Sequence, residues 1–106
     1  MVDVKVLCIS TVKVVNDMIS QQLEIINKLG LHARASAKLT QLAGKFQCEV
    51  WLTRNERRVN AKSIMGVMML AAGNGSVVTL ETDGADERQC FDAICELIAA
   101  RFGESE

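Results

Sequence analysis

The single histidine of the chain lies where several features that favour anions coincide. Gly30-Leu31-His32-Ala33-Arg34 runs from a loop glycine into the first turn of a predicted helix. A helix N-terminus has unpaired N–H groups and a partial positive charge, so it favours an anion. Arg34 adds a permanent charge whose donors suit phosphate oxygens. A neutral imidazole is a nucleophile near neutral pH, so His32 could accept a covalent group and pass it on.

These residues by themselves leave two interpretations of His32 open. A lone histidine at a helix start is more often only a capping residue; the alternative is a phosphoryl or carboxylate site. The chain has no second histidine, and no acid–base pair is apparent, so an enzyme acting on a small molecule is disfavoured. Four cysteines, at positions 8, 48, 90 and 95, form no CxxC pair, and we expect neither a metal nor a cofactor.

The bulk composition indicates a small cytoplasmic domain. The chain has 106 residues, 49% of them hydrophobic, and a net charge of -1. Nucleic-acid binding is disfavoured because it usually needs a basic excess. The apolar runs fall short of the ~20 residues of a membrane helix, and residues 1–20 lack the apolar core of a signal peptide. We therefore predict a cytoplasmic protein with reduced thiols and no membrane partner.

The elements that must position His32 alternate between strand and helix. The patterns predict strands over residues 22–27, 47–53, about 57–61 and 76–82, and helices over 33–43, 64–71 and about 87–102. Asp86 and Gln89 resemble a capping box before the last helix. The order β-α-β-β-α-β-α predicts an α+β fold. In this two-layer open-faced sandwich, three helices cover one face of a four-stranded antiparallel sheet, and Trp51 is partly exposed on the other.

Residues 1–17 look like an N-terminal extension of unknown role, and residues 18–106 form the predicted domain. Val2, Val4 and Val6 have strand-like composition, but no pairing partner can be named for them. One interpretation is a start codon assigned too far upstream. The other is a real additional strand or arm.

The predicted helix over 64–71 is apolar on nearly every side. Ser63 is well placed to cap it. We assign Val67 and Leu70 to its buried side. A cluster such as Ile64, Met65 and Met68 is usually core, but a short surface helix cannot bury it all, and an exposed apolar patch with methionines suits a docking surface.

Two stretches resemble the HPr family, the histidine-containing phosphocarriers of the bacterial phosphotransferase system. Residues 27–37 are similar to its active-site signature, with Gly30-Leu31-His32 and Arg34 in register. Residues 61–68 (AKSIMGVM) are similar to its regulatory-serine region, and the similarity covers about residues 18–103. Ala35 stands where the family often has proline, which a first helical turn tolerates but does not require.

The resemblance implies a phosphoryl carrier, not an enzyme. Enzyme I, phosphorylated from phosphoenolpyruvate, would transfer the group to His32, at Nδ1 in the family, and a IIA protein or domain would receive it. Arg34 would stabilise the group. HPr kinase/phosphorylase would phosphorylate Ser63, and the helix bearing Ile64, Met65 and Met68 would dock partners.

Two alternatives remain at this point: a nitrogen-branch carrier, or a purely regulatory HPr-like module. The presence of His32 and Arg34 argues against the second. The sequence does not separate the sugar branch from the nitrogen branch.

Overall fold

The computed structural model describes residues 18–105, and the extension predicted over residues 1–17 lies outside them. The strands are β1 (Ile19–Glu24), β2 (Glu49–Arg54), β3 (Arg57–Asn60) and β4 (Val77–Asp83). The helices are α1 (Ala33–Ala43), α2 (Ile64–Met69) and α3 (Glu87–Ala99), followed by a 3-10 turn over Arg101–Gly103. The predicted order of strands and helices is confirmed.

The four strands form one antiparallel sheet in the order β1-β4-β2-β3. Alternate residues of the central strands are buried, and Leu52 lies directly opposite Leu80 in the register. Helix α3 packs on β1 and β4, α2 lies against β3, and α1 packs against both helices. Trp51 is partly exposed on the other face, with the Arg58 guanidinium 4.2 Å from its ring centre. The predicted open-faced sandwich is confirmed.

Strand β1 begins and ends three residues earlier than the predicted range of 22–27. After Glu24 the chain leaves the ladder with β4 and bonds to a loop instead. The Ile25 N–H donates to the Ser76 carbonyl at 2.8 Å, and the Ile25 carbonyl accepts from the Gly75 N–H at 2.7 Å. The hydrophobic alternation continues through Ile25, so periodicity alone misplaced the end of the strand.

Helix α3 ends at Ala99, earlier than the predicted residue 102. Arg101, Phe102 and Gly103 all have positive φ, at 56°, 57° and 81°, which reverses the chain. Phe102 is nevertheless fully buried, as the apolar stripe of the predicted helix required. The apolar stripe correctly identified Phe102 as a core residue, but it did not predict the turn of positive φ angles that places Phe102 in the core.

Asp86 does not form the predicted capping box, because its side chain makes no hydrogen bond to α3. Its two carboxylate oxygens accept from the N–H groups of Gln47 and Cys48, each at 2.9 Å. The Gln47 N–H, followed by the Cys48 N–H, lowers the pKa of the Asp86 carboxyl. Asp86 therefore ties the start of α3 to the chain entering β2.

Each helix in the described part of the chain is too short or too polar to cross a bilayer.

Candidate functional site

The loop before α1 rests on the segment that follows α2. Gly30 has φ +67°, and a Cβ there would lie 2.5 Å from the Ala72 carbonyl oxygen. The Leu31 N–H donates to the same oxygen at 2.8 Å. Only glycine combines this φ with so close an approach. The Asn74 amide donates two hydrogen bonds of 3.1 Å to the carbonyls of Ile26 and Asn27. The segment after α2 therefore fixes the position of the loop that carries His32.

His32 occupies the N-cap position of α1, with φ −77° and ψ −178°. Its carbonyl accepts the first helical bond from the Ser36 N–H at 2.8 Å, but its side chain makes no capping bond. The Ser36 hydroxyl donates instead to the Leu31 carbonyl at 3.0 Å. His32 is therefore the N-cap residue through its backbone, and its imidazole takes no part in capping.

The imidazole contacts a carboxylate from the far end of the chain. His32 Nε2 lies 2.6 Å from Glu104 Oε2. The other carboxylate oxygen, Oε1, accepts from Asn27 Nδ2 at 2.9 Å, and the same amide donates to the Gly30 carbonyl at 2.9 Å. The Asn27 amide and the His32 ring hold the pKa of the Glu104 carboxyl below its usual range.

The reversal after α3 brings Glu104 to this position. Lys38 Nζ donates to the Phe102 carbonyl at 2.6 Å, which fastens the turn to α1. The buried Phe102 ring anchors the turn in the core. Neither Glu104 nor Lys38 was predicted as a site residue, and no sequence motif indicates them. The contact of Glu104 with His32 joins residues that are 72 positions apart in the chain.

His32 and Arg34, the two predicted site residues of this motif, line one cavity. Its lining consists of Lys28, Leu29, His32, Ala33, Arg34, Glu104 and Ser105. Two cationic side chains, Lys28 and Arg34, share this lining with the His32 ring and the Glu104 carboxylate. Groups that can bind phosphate oxygens therefore lie in the same cavity as a nucleophilic ring. In residues 18–105, no cluster of three or more His, Cys, Asp or Glu side chains could hold a metal ion.

Ser63 and the predicted docking residues lie on α2, outside the cavity lining. Ser63 is the N-cap, and its hydroxyl accepts from the Gly66 N–H at 3.1 Å. Val67 and Leu70 are buried as predicted. The exposed apolar residues are Ile64, Met65 (67% exposed), Met68 and also Met69, which was not predicted. Leu29, another exposed apolar residue missed in the sequence, belongs to the cavity.

Comparison with known proteins gives a family match over most of the chain. Residues 19–100 match the model of the family described as "PTS HPr component phosphorylation site". The phosphocarrier protein HPr of Cupriavidus necator is 68% identical over 89 residues, which cover 84% of this chain and all of that protein. Both predicted signatures fall inside the matched range.

A solved structure and a second type of relative agree with this match. The crystal structure of HPr-C-His from Thermoanaerobacter tengcongensis has a TM-score of 0.80 and 44% identity, covering 82% of this chain and 98% of that one. The phosphocarrier protein NPr of Shewanella violacea is 42% identical over 87 residues, covering 82% of this chain and 96% of that protein.

Proposed function

The chain belongs to the PTS HPr family, and we propose that it carries a phosphoryl group on His32 from Enzyme I to a IIA protein or domain. The observation that supports this most strongly is the placement of His32. Its ring stands at the N-terminus of α1, uncommitted to capping, in one cavity with Lys28 and Arg34. Anion stabilisers and a nucleophile therefore meet at one point.

The proposed reaction is a transfer between two nitrogens. A lone pair of the His32 ring bonds to the phosphorus of phosphorylated Enzyme I, and the bond from phosphorus to the donor breaks, leaving its electron pair on the donor. The reverse sequence passes the group to a histidine of the IIA acceptor. Such a carrier works in the compartment that contains phosphoenolpyruvate, so we propose that it is cytoplasmic.

Arg34 is assigned to stabilising the transferred group. Its side chain is exposed in the cavity wall two residues after His32, where its guanidinium can reach phosphate oxygens in a bidentate manner. The N–H groups at the start of α1 would add partial positive charge on the same side.

The proposed docking surface consists of Ile64, Met65 and Met68 on α2. The hydrogen bond from the Leu31 N–H to the Ala72 carbonyl joins the His32 loop to the segment after this helix. We propose that a partner covering the cavity also buries exposed apolar side chains of α2. Burial of such side chains contributes binding free energy, and methionine adapts to differently shaped partners.

Ser63 is proposed as a regulatory phosphorylation site for a HPr kinase/phosphorylase. Its hydroxyl group is on an exposed residue, and a phosphate at this position would add about −1.5 to −2 charges beside the docking surface. Its capping role is compatible with modification, because phosphate oxygens can also accept from helix N–H groups.

The NPr relative favours one second candidate, a carrier of the nitrogen branch. The two candidates share the chemistry at His32 and differ in the acceptor. Transfer from the phosphorylated protein to sugar-specific and nitrogen-related IIA proteins, offered separately, distinguishes them by rate.

The test of the carrier function uses Enzyme I and phosphoenolpyruvate with the full chain. We expect one acid-labile phosphoryl group, located on His32 by mass spectrometry, and no labelling of His32→Ala. Folding of the variant is checked by circular dichroism. Undiminished labelling of His32→Ala would refute the proposal.

A further inference from the structure

We infer that Glu104, oriented by Asn27, is a positioning residue that keeps the proton of the neutral His32 ring on Nε2 and leaves Nδ1 as the nucleophile. This inference rests on the proposed phosphocarrier function and assigns a role to the C-terminal turn within it. The geometry that carries it is the chain of contacts Asn27 Nδ2 to Glu104 Oε1, then Glu104 Oε2 to His32 Nε2, at 2.9 and 2.6 Å.

The direction of the second contact follows from hydrogen-bond chemistry. An ionised carboxylate only accepts, so the ring nitrogen that faces Glu104 must donate. A neutral imidazole has one N–H, and its other nitrogen then holds a lone pair. With the proton on Nε2, that lone pair is on Nδ1.

Asn27 has the surroundings of a residue that orients a neighbour. Its side chain is fully buried, and Nδ2 donates both to the Glu104 carboxylate and to the Gly30 carbonyl. Its Oδ1 is buried without a hydrogen-bond partner among residues 18–105. A buried acceptor left unpaired opposes folding. The amide is thus placed for its two donor contacts, which join the His32 loop to the carboxylate.

Two further features hold the turn that carries Glu104. The Phe102 ring is buried in the core, and Lys38 donates to the Phe102 carbonyl at 2.6 Å, two residues before Glu104. Because the turn that carries Glu104 is itself held in place, the His32 ring loses less conformational freedom when the reaction begins.

The same carboxylate acts in both directions of transfer. When Nδ1 bonds to phosphorus and the donor bond breaks, the ring retains its Nε2 proton and becomes a phosphoimidazolium cation. Glu104 lies against that proton and stabilises the positive charge. When the group leaves, the electron pair of the P–Nδ1 bond returns to the ring, and Nε2 is still protonated. No proton has to leave the ring at either step.

The experiment compares Glu104→Ala and Glu104→Gln with wild type in the full chain, with Glu96→Gln as the control. Glu96 is an exposed acid on α3, so its substitution removes the same charge elsewhere. Long-range 1H–15N correlation spectra of the unphosphorylated proteins, at a pH where the ring is neutral, identify which nitrogen is protonated. Single-turnover transfer from phosphorylated Enzyme I gives the rate.

We expect wild type and Glu96→Gln to have protonated Nε2 and unprotonated Nδ1. Glu104→Ala should become a mixture of tautomers and accept the group about tenfold more slowly, by analogy with the roughly 10–100-fold effect of removing a hydrogen-bond partner of a metal-ligating histidine. Glu104→Gln retains the shape without the charge and should also be slower than Glu96→Gln.

An unchanged tautomer in Glu104→Ala would overturn the inference, as would wild-type rates in both Glu104 variants. The spectra need no partner protein, so this result does not depend on the proposed function. Labelling that persists in His32→Ala would instead refute the function and leave the tautomer measurement intact.

Discussion

The Nε2 atom of His32 lies 2.6 Å from Oε2 of Glu104, although 72 positions separate the two residues along the chain. This contact makes the turn after α3 part of the site and places a carboxylate against the Nε2 side of the ring. The cations Lys28 and Arg34 line the same cavity. Charges of both signs thus line the cavity beside the ring that is proposed to carry the group.

Arg34→Ala is expected to slow phosphoryl transfer about tenfold, because a hydrogen bond to a charged group contributes roughly 1.5–3 kcal/mol. The melting temperature should hardly change, since an exposed charge adds only ~0–1 kcal/mol to stability. Arg34→Lys retains the charge without the bidentate donors and should be intermediate. The matched control is Arg57→Ala on edge strand β3. Equal transfer rates in Arg34→Ala and this control would contradict the role.

Met65→Lys is expected to raise the concentration of the protein needed for half-maximal phosphorylation by Enzyme I. Met65 is 67% exposed on α2, and an ammonium group there would have to be desolvated in a complex. Val77→Lys is the control, because Val77 is also exposed but lies on the open face of the sheet. A loss of roughly 1.4 kcal/mol would raise that concentration about tenfold. If both variants have the same effect, α2 is not the docking surface.

Phosphorylation of Ser63 is expected to weaken docking to Enzyme I without unfolding the protein. The added charge must be desolvated beside Met65 when a partner covers α2, whereas the helix N-terminus tolerates it. Ser63→Asp should have a smaller effect in the same direction. The rate of His32 phosphorylation against protein concentration measures both. The same curve for phosphorylated and unmodified protein would count against regulation through docking.

Ser63→Ala is expected to lower the free energy of unfolding by about 1 kcal/mol, because it removes the acceptor for the Gly66 N–H. Chemical denaturation monitored by Trp51 fluorescence measures this change. A stability equal to that of wild type would show that the cap adds little.

A protein that begins at Met18 is expected to fold and to accept the phosphoryl group. Every strand and helix described above lies after that residue, and the 89-residue match with the Cupriavidus necator relative covers the whole of that protein. Circular dichroism and labelling by Enzyme I test the shortened chain against the full one. Insolubility or loss of labelling would assign residues 1–17 a structural or functional role.

Asp86→Asn is expected to flatten the dependence of stability on acid pH. The folded state lowers the pKa of this carboxyl, chiefly through the Gln47 N–H. Its contribution to the free energy of unfolding is therefore complete above the pKa of the unfolded chain, about 4. That contribution is lost as the pH falls through the lower folded value. Unfolding free energies measured from about pH 6 down to the acid transition test the variant against Asp83→Asn, an exposed control. A parallel decline in the two variants would exclude the mechanism.

Several features that were predicted correctly depend on neighbours in the chain. Helix α1 was predicted over residues 33–43 and begins and ends there, because its periodicity and helix formers are local properties. Ser63 caps α2 for the same reason, and Val67 lies on its buried side. His32 and Arg34 are two residues apart, so a helix start was enough to place them in one cavity.

The tertiary structure alone decided the contacts that join distant segments. Asp86 had a local capping pattern, yet two backbone N–H groups across the fold hold its carboxylate more favourably. Glu104 reaches His32 only because three positive φ angles, a buried Phe102 and a bond to Lys38 reverse the chain after α3. The free energy of such a contact depends on which segments the core brings together, and no spacing along the chain encodes that proximity.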